Sequence, residues 1–144
     1  MAGIDSYFNT LDISVSGMKA ERVRMDVVLS NLANVNSTRT PEGGPYRRRQ
    51  VVFQTLLEDA DKSGGFGGRG VEVSEISLDN SDFVRVYRPG HPDADADGYV
   101  QLPNINTAEE MADLLSASRA HEANGAAFRV AKEMFRRALE IGRA

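Results

Sequence analysis

Apolar residues recur along the first quarter of the chain at alternating steps of three and four. Phe8, Leu11, Val15, Met18, Arg22, Met25, Leu29 and Leu32 make a heptad seam whose one polar interruption is Arg22. The spacing predicts a helix over Ile4 to Asn34. At 1.5 Å per residue it would run about 46 Å, against about 40 Å for the diameter of a compact chain of this size. A helix longer than its globule does not bury its stripe inside that globule.

The last third repeats the pattern. Thr107 reads as a cap, with Glu110 reaching back to it in a capping box, and the helix runs without Pro to about Ile141. Met111, Leu114, Leu115, Phe128, Phe135 and Leu139 form one stripe. Ala117, Ala120, Ala127, Ala131, Met134, Ala138 and Ile141 form a second on a neighbouring face, where small side chains allow close approach and bury little area each. Asn124 and Gly125 are expected to interrupt this helix near its middle.

Between the two ends the period shortens to two. The stretches 46–56, 71–78, 83–87 and 99–102 alternate as strands and are bounded by Gly, Pro, Asn or Asp. A glycine-dense run near 63–70 reads as a loop. The fold class expected is α+β, with long N- and C-terminal helices pairing antiparallel as a coiled-coil-like tube domain around a small β-rich insert. The helical segments are 1–36 and 107–144, and the insert is 37–106. An insert of that length cannot cover two helices each around 50 Å long. Two helices cannot bury three apolar faces, so other chains must supply the rest.

Composition narrows the function classes. In 144 residues there is no Cys, which removes disulfides, thiolate catalysis and Cys-ligated metals. The net charge of −4 lacks the basic footprint that nucleic acid demands. No apolar run approaches the roughly 18 residues of a membrane span, so the chain reads as soluble. Its first residues lack the basic region and apolar core of a cleaved secretory signal. Arginine outnumbers lysine by 14 to 3, which favours pairing to carboxylates at interfaces.

Four motifs look chemical. Asp93, Asp95 and Asp97 with Gly98 and Val100 spell the start of a calcium loop, but the twelfth position is Asn104 where a bidentate Glu is needed, and Pro flanks replace helices. An Asx-rich turn feeding the strand 99–102 is the competing reading. Gly65 to Gly70 spells G-x-G-x-x-G, yet a strand follows it where a helix should begin. Arg47, Arg48 and Arg49 have no interleaved stacking aromatics and read as a solvated or subunit-facing strand edge. His91 and His121 form no i, i+4 metal pair, and no catalytic or cofactor-binding set stands out, so no enzyme activity and no cofactor are expected.

Ser30, Asn31, Leu32, Ala33 and Asn34 followed by Thr38, closing a heptad helix, resemble the shared motif of bacterial flagellar axial proteins, the rod, hook and hook-associated family. Tyr46-Arg47 and Gln50 to Phe53 extend the match. Pro89, His91, Pro92, Asp95, Gly98, Tyr99, Val100, Pro103 and Asn104, with Glu110-Met111 and Ser116 to Arg119 downstream, resemble the proximal rod members in particular. Where those members have Pro-Asn-Val, this chain has Pro-Asn-Ile. The resemblance implies a structural subunit of the periplasm-spanning basal-body rod, exported without a cleaved signal through the flagellar type III apparatus. It implies partners among copies of itself, other rod proteins and inner-membrane ring/rod junction proteins, with no nucleic acid and no direct membrane insertion. Phe8 to Leu32 with Met111, Leu114, Phe128, Phe135 and Leu139 would then be the assembly seam. Asn31, Asn34 and Asn36 are expected to satisfy the last carbonyls of the first helix and to enter left-handed or turn conformations. Two alternatives are a hook or distal-rod relative, which would carry a larger insert, and a calcium-responsive binding module.

Overall fold

A computed structural model describes residues 2–57 and 68–142, with side chains over 9–56 and 69–142. Its elements, in chain order, are α1 (Ala2–Ala33), β1 (Arg49–Leu57), β2 (Gly68–Leu78), β3 (Val84–Tyr87), β4 (Tyr99–Leu102) and α2 (Thr107–Ile141). The fold is α+β, two long helices enclosing a small β-rich region, as the change of period requires. The helices run antiparallel: Met18 meets His121, Arg24 meets Asp113 and Asn31 meets Glu110.

Local chemistry sets the helix ends. Asn34 closes α1, its backbone N–H reaching the carbonyls of Ser30 and Asn31 and its Nδ2 donating to Ser30 at 2.9 Å. The cap of α2 is Asn106, one residue before the expected Thr107, and its Oδ1 accepts from the Ala108 amide at 3.1 Å. Glu110 does not reach back to the cap; it turns inward. Nor do Asn124 and Gly125 interrupt α2, which is continuous through them. At Gly125 an added Cβ would meet Met18 Sδ at 3.7 Å, so the position lies close against α1.

The buried line of α1 is offset from the heptad seam. Ser14, Gly17, Ala20, Val27, Val28 and Asn31 are buried, whereas Leu11, Val15, Met18, Met25 and Leu32 are only partly covered and Leu29 is half exposed. The Phe8 side chain lies outside those described. Small side chains on the buried line explain the offset, since they let the helix backbones approach. A Cβ on Gly17 would stand 2.7 Å from Asn124 Nδ2. On α2 the boundary also falls between the two expected stripes. Leu114, Phe128 and Phe135 share the inner side with Ala117, Ala120 and Ala131, while Met111, Leu115, Ala127, Met134, Ala138, Leu139 and Ile141 are exposed.

β1 and β2 pair antiparallel, with irregularities at Val52/Phe53 and Leu56/Leu57, and β3 pairs with β4 from Val84↔Leu102 to Tyr87↔Tyr99. Of the glycine-dense run, Gly68 to Gly70 belong to β2 and not to a loop; its other residues lie outside those described. The β1–β2 hairpin is clasped onto α1 where the Val71 amide donates to Ser16 Oγ at 3.1 Å. Gly70 makes this clasp possible, because its φ of +125° suits only glycine and an added Cβ would fall 2.1 Å from Ser16 Oγ. Gly70→Ala should therefore cost about 1–3 kcal/mol locally. The check is hydrogen exchange at the Val71 amide, expected to speed up by about tenfold or more; unchanged protection would show the clasp to be unimportant.

Candidate assembly site

Three segments distant in sequence are tied together at Asn31, which is 1% exposed. Its Nδ2 donates to the Arg49 carbonyl and to Glu110 Oε2, both at 2.9 Å. Its Oδ1 accepts from the Arg49 amide at 3.0 Å and from the Tyr46 hydroxyl at 3.1 Å. All the hydrogen-bonding capacity of the amide is used. Asn31 pairs with the backbone of Arg49 much as a neighbouring strand residue would, and so docks β1 on the end of α1. The reading of Asn31 as a helix-ending residue is corrected accordingly; Asn34 does that work, and no non-glycine among the described residues has positive φ.

Glu110, with no exposed surface at all, is the α2 member of this knot. Burying a carboxylate is tolerable only when it is paired and hydrogen-bonded, and Arg48 Nε supplies the pair. The same guanidinium lies 3.6 Å from Asp79 and 3.7 Å from Asp113, and its contact with Glu110 holds its pKa above the ordinary arginine value against the opposing effect of burial. Arg47 donates to the carbonyls of Asp79 and Ser81 and stacks over Phe83, while Arg49 lies over Tyr46. Arg47 and Arg48 are therefore internal joinery, whereas the Arg49 side chain is exposed on the strand edge, as a solvated arginine there would be. Neither Glu110 nor Arg48 was a candidate from sequence as an anchor. The signal existed in the helical phase: Glu110 shares a face with Leu114, Ala117 and His121, the side that meets α1.

The insert residues singled out by sequence are brought together by the same joints. Asn104 accepts from the Arg48 amide at 3.0 Å and donates to Ser81 Oγ at 2.8 Å. Thr38 donates to Asp93 at 2.9 Å, and Arg39 pairs with the other Asp93 oxygen. His91 Nδ1 accepts from the Asp93 amide at 3.1 Å. Asp95 accepts from the amides of Tyr99 and Asp97 and pairs with Arg85, which lies over the Tyr99 ring. Gly98, at φ +80°, sits where a Cβ would press on Tyr87 and Pro89, and Val100 and Pro103 are buried. Asp93 and Asp95 are thus directed to different partners, as an Asx-rich turn requires. Among the described residues no group of three His, Cys, Asp or Glu is placed to hold a metal ion.

Asp79 is held below the ordinary carboxylate range, first by the Ser81 amide that donates to it and then by Arg48. A depressed folded pKa contributes stability that is whole above the unfolded value of about 4 and is lost as pH falls through the folded one. Acid titration of unfolding should accordingly show a steep limb below about pH 4 that Asp79→Asn makes shallower. An unaltered limb would place the acid sensitivity elsewhere.

Beyond these joints, the chain leaves large apolar side chains uncovered. On α2, Met111, Leu115, Val130, Met134, Leu139 and Ile141 are 54–79% exposed, and on α1 Leu29 is 50% exposed. Large apolar side chains left exposed at both ends of a helix mark surface that meets another chain. No helix among the described residues is long and apolar enough to cross a membrane.

Residues 11–39 match the family described as flagella basal body rod protein, and residues 96–141 match the C-terminal family of flagellar basal body rod FlgEFG proteins. Those spans cover most of α1 with its closing motif, and β4 with α2. The chain is 46% identical to the flagellar basal-body rod protein FlgC of Bacillus subtilis, over 94% of this chain and 98% of that protein. Against FlgC of Aquifex aeolicus the identity is 44%, over 92% and 95%. FlgC of Borreliella burgdorferi is 42% identical over 93% and 96%.

Proposed function

Since the chain belongs to the FlgC family of flagellar basal-body rod proteins and is a structural subunit of the rod, we propose that it builds the proximal part of that rod by helical assembly. Its partners are copies of itself and other rod proteins, with inner-membrane ring/rod junction proteins at one end. Residues 1–36 and 107–144 form the inner tube domain, which surrounds the export channel, and 37–106 form the insert. The heptad residues of α1, Leu11 to Leu32, and Met111, Leu114, Phe128, Phe135 and Leu139 of α2 make the seam between helices and between subunits. The chain reaches the periplasm-spanning rod through the flagellar type III apparatus with no cleaved signal, and it acts without catalysis.

One observation carries this reading: large apolar side chains of α2 stand exposed towards both ends of the helix, Met111 and Leu115 near its start and Val130, Met134, Leu139 and Ile141 near its end. Torque would pass through many such contacts in parallel, so stiffness comes from repeated packing and not from one strong bond. Heterologous contacts that do not close on themselves give a helical assembly. The test is complementation. A motile bacterium deleted for its own FlgC should swim when supplied with this chain, and isolated basal bodies should contain it. Basal bodies that lack the chain, in cells that express it well, would refute the proposal.

A further inference from the structure

Between the β1–β2 hairpin and α2, with α1 as its floor, lies an open groove of about 370 Å³ lined by Ile13, Ala20, Phe53 and Val71. Its walls are mostly apolar, with the Asn124 amide on the α2 side and Glu21 set into it. The Glu21 side chain is 16% exposed, and its Oε2 is sealed from solvent with no hydrogen-bond partner among the described residues. The nearest cation, Arg24 Nη1, stands 3.6 Å away, and the other end of that guanidinium is committed to Asp113 at 3.0 Å. A buried carboxylate oxygen left in this state is costly. The groove therefore calls for an apolar side chain with a cation beside it.

The chain carries that combination on a different surface. Val130, Met134, Arg137 and Ile141 lie along one line of α2, facing away from α1; the three apolar residues are 59%, 60% and 79% exposed. Met134 and Arg137 are one turn apart, about 4.5 Å along the axis. Among the described residues Arg137 pairs with Glu133, in a solvent-exposed i, i+4 pair, which is easily exchanged.

We infer that this groove receives α2 of a second copy, Met134 entering between Phe53 and Val71 and Arg137 pairing with Glu21. The inference rests on the rod-subunit reading and specifies a contact within it. Knob and groove are different surfaces of one chain, so the contact is head to tail and propagates as an open series.

The absence of cysteine makes the test clean. Two differently tagged copies, one carrying Phe53→Cys and the other Met134→Cys, are expressed together in a flagellated host lacking its own FlgC, and rods are oxidised mildly. A cross-linked species bearing both tags is expected, with at least about fivefold less when Arg119→Cys, elsewhere on the exposed side of α2, replaces Met134→Cys. Equal or greater cross-linking at Arg119, or none in rods that contain both copies, overturns the contact while leaving the rod reading intact. Absence of the chain from basal bodies overturns both. Should the cysteines themselves perturb assembly, charge exchange decides. Glu21→Arg and Arg137→Glu should each reduce swimming by about tenfold, and the double variant should recover at least half of it. Two impaired single variants with no recovery in the double would refute the pairing.

Discussion

Arg48→Met should destabilise the chain by about 3–5 kcal/mol, the cost of leaving a fully buried carboxylate without its cation. Glu110 has no exposed surface, and with Arg48 removed it keeps only the Asn31 amide. The loss should appear as a lower urea midpoint at unchanged slope. Replacing the pair together, Arg48→Met with Glu110→Leu, should return at least half of that stability, because the desolvated charge goes with its partner. Recovery would not be complete: Asn31 Nδ2 then loses an acceptor, and Asp79 and Asp113 lose a shared neighbour. A single variant within about 0.5 kcal/mol of the parent would mean that the knot is not a stability determinant.

Leu29→Asp should do the opposite, leaving the isolated chain almost as stable as before while abolishing motility. Leu29 is half exposed in the lone subunit, so a carboxylate there stays hydrated and changes stability by about 0.5 kcal/mol or less. In an assembled rod the same carboxylate would be buried against a neighbour without a partner, at a cost of several kcal/mol per contact repeated in every copy. Swim-plate diameter should fall to that of the deletion strain, with thermal unfolding of the purified chain unchanged. Phe135→Asp should also stop assembly but is the less discriminating change, since Phe135 is partly covered and its loss would loosen the end of α2 as well. Normal swimming with Leu29→Asp would remove Leu29 from the assembly seam.

Much of the architecture was legible because it follows from period. A three-four spacing over Phe8 to Leu32 and alternation at Val71 to Leu78 can only be satisfied by long helices and strands, and these are where they were expected to within a few residues. Which side of each helix faces inward was not legible. Periodicity ranks positions by hydrophobicity, whereas α1 buries Ser14, Gly17 and Asn31 on the side where its backbone approaches α2 and the hairpin. The cap of α2 was misplaced by one residue for a related reason: Thr107 and Glu110 spell a capping box, but Glu110 has a stronger claim on it from Arg48. The Ser30 to Asn34 motif marked the right place without disclosing its mechanism, since Asn31 acts on β1 and α2, which only the folded chain brings near. Residues 93–99 were readable both as a calcium loop and as a turn. The partners of Asp93 and Asp95, Thr38 with Arg39 and Arg85, are distant enough that spacing alone offers no means of choosing.

The knot at Asn31 also determines how a push on the insert reaches the helices. Apolar contacts resist separation but slide, whereas hydrogen bonds resist changes of angle. The insert is held at one end by bonds fanning from Asn31, Glu110 and Arg48 in several directions, and further along α1 by the Ser16–Val71 clasp. It is mounted like a lever with a stiff pivot and a light catch. Sideways load on the hairpin is delivered to the helix pair at residues 31 and 110, and the catch at Ser16 is the first joint to yield.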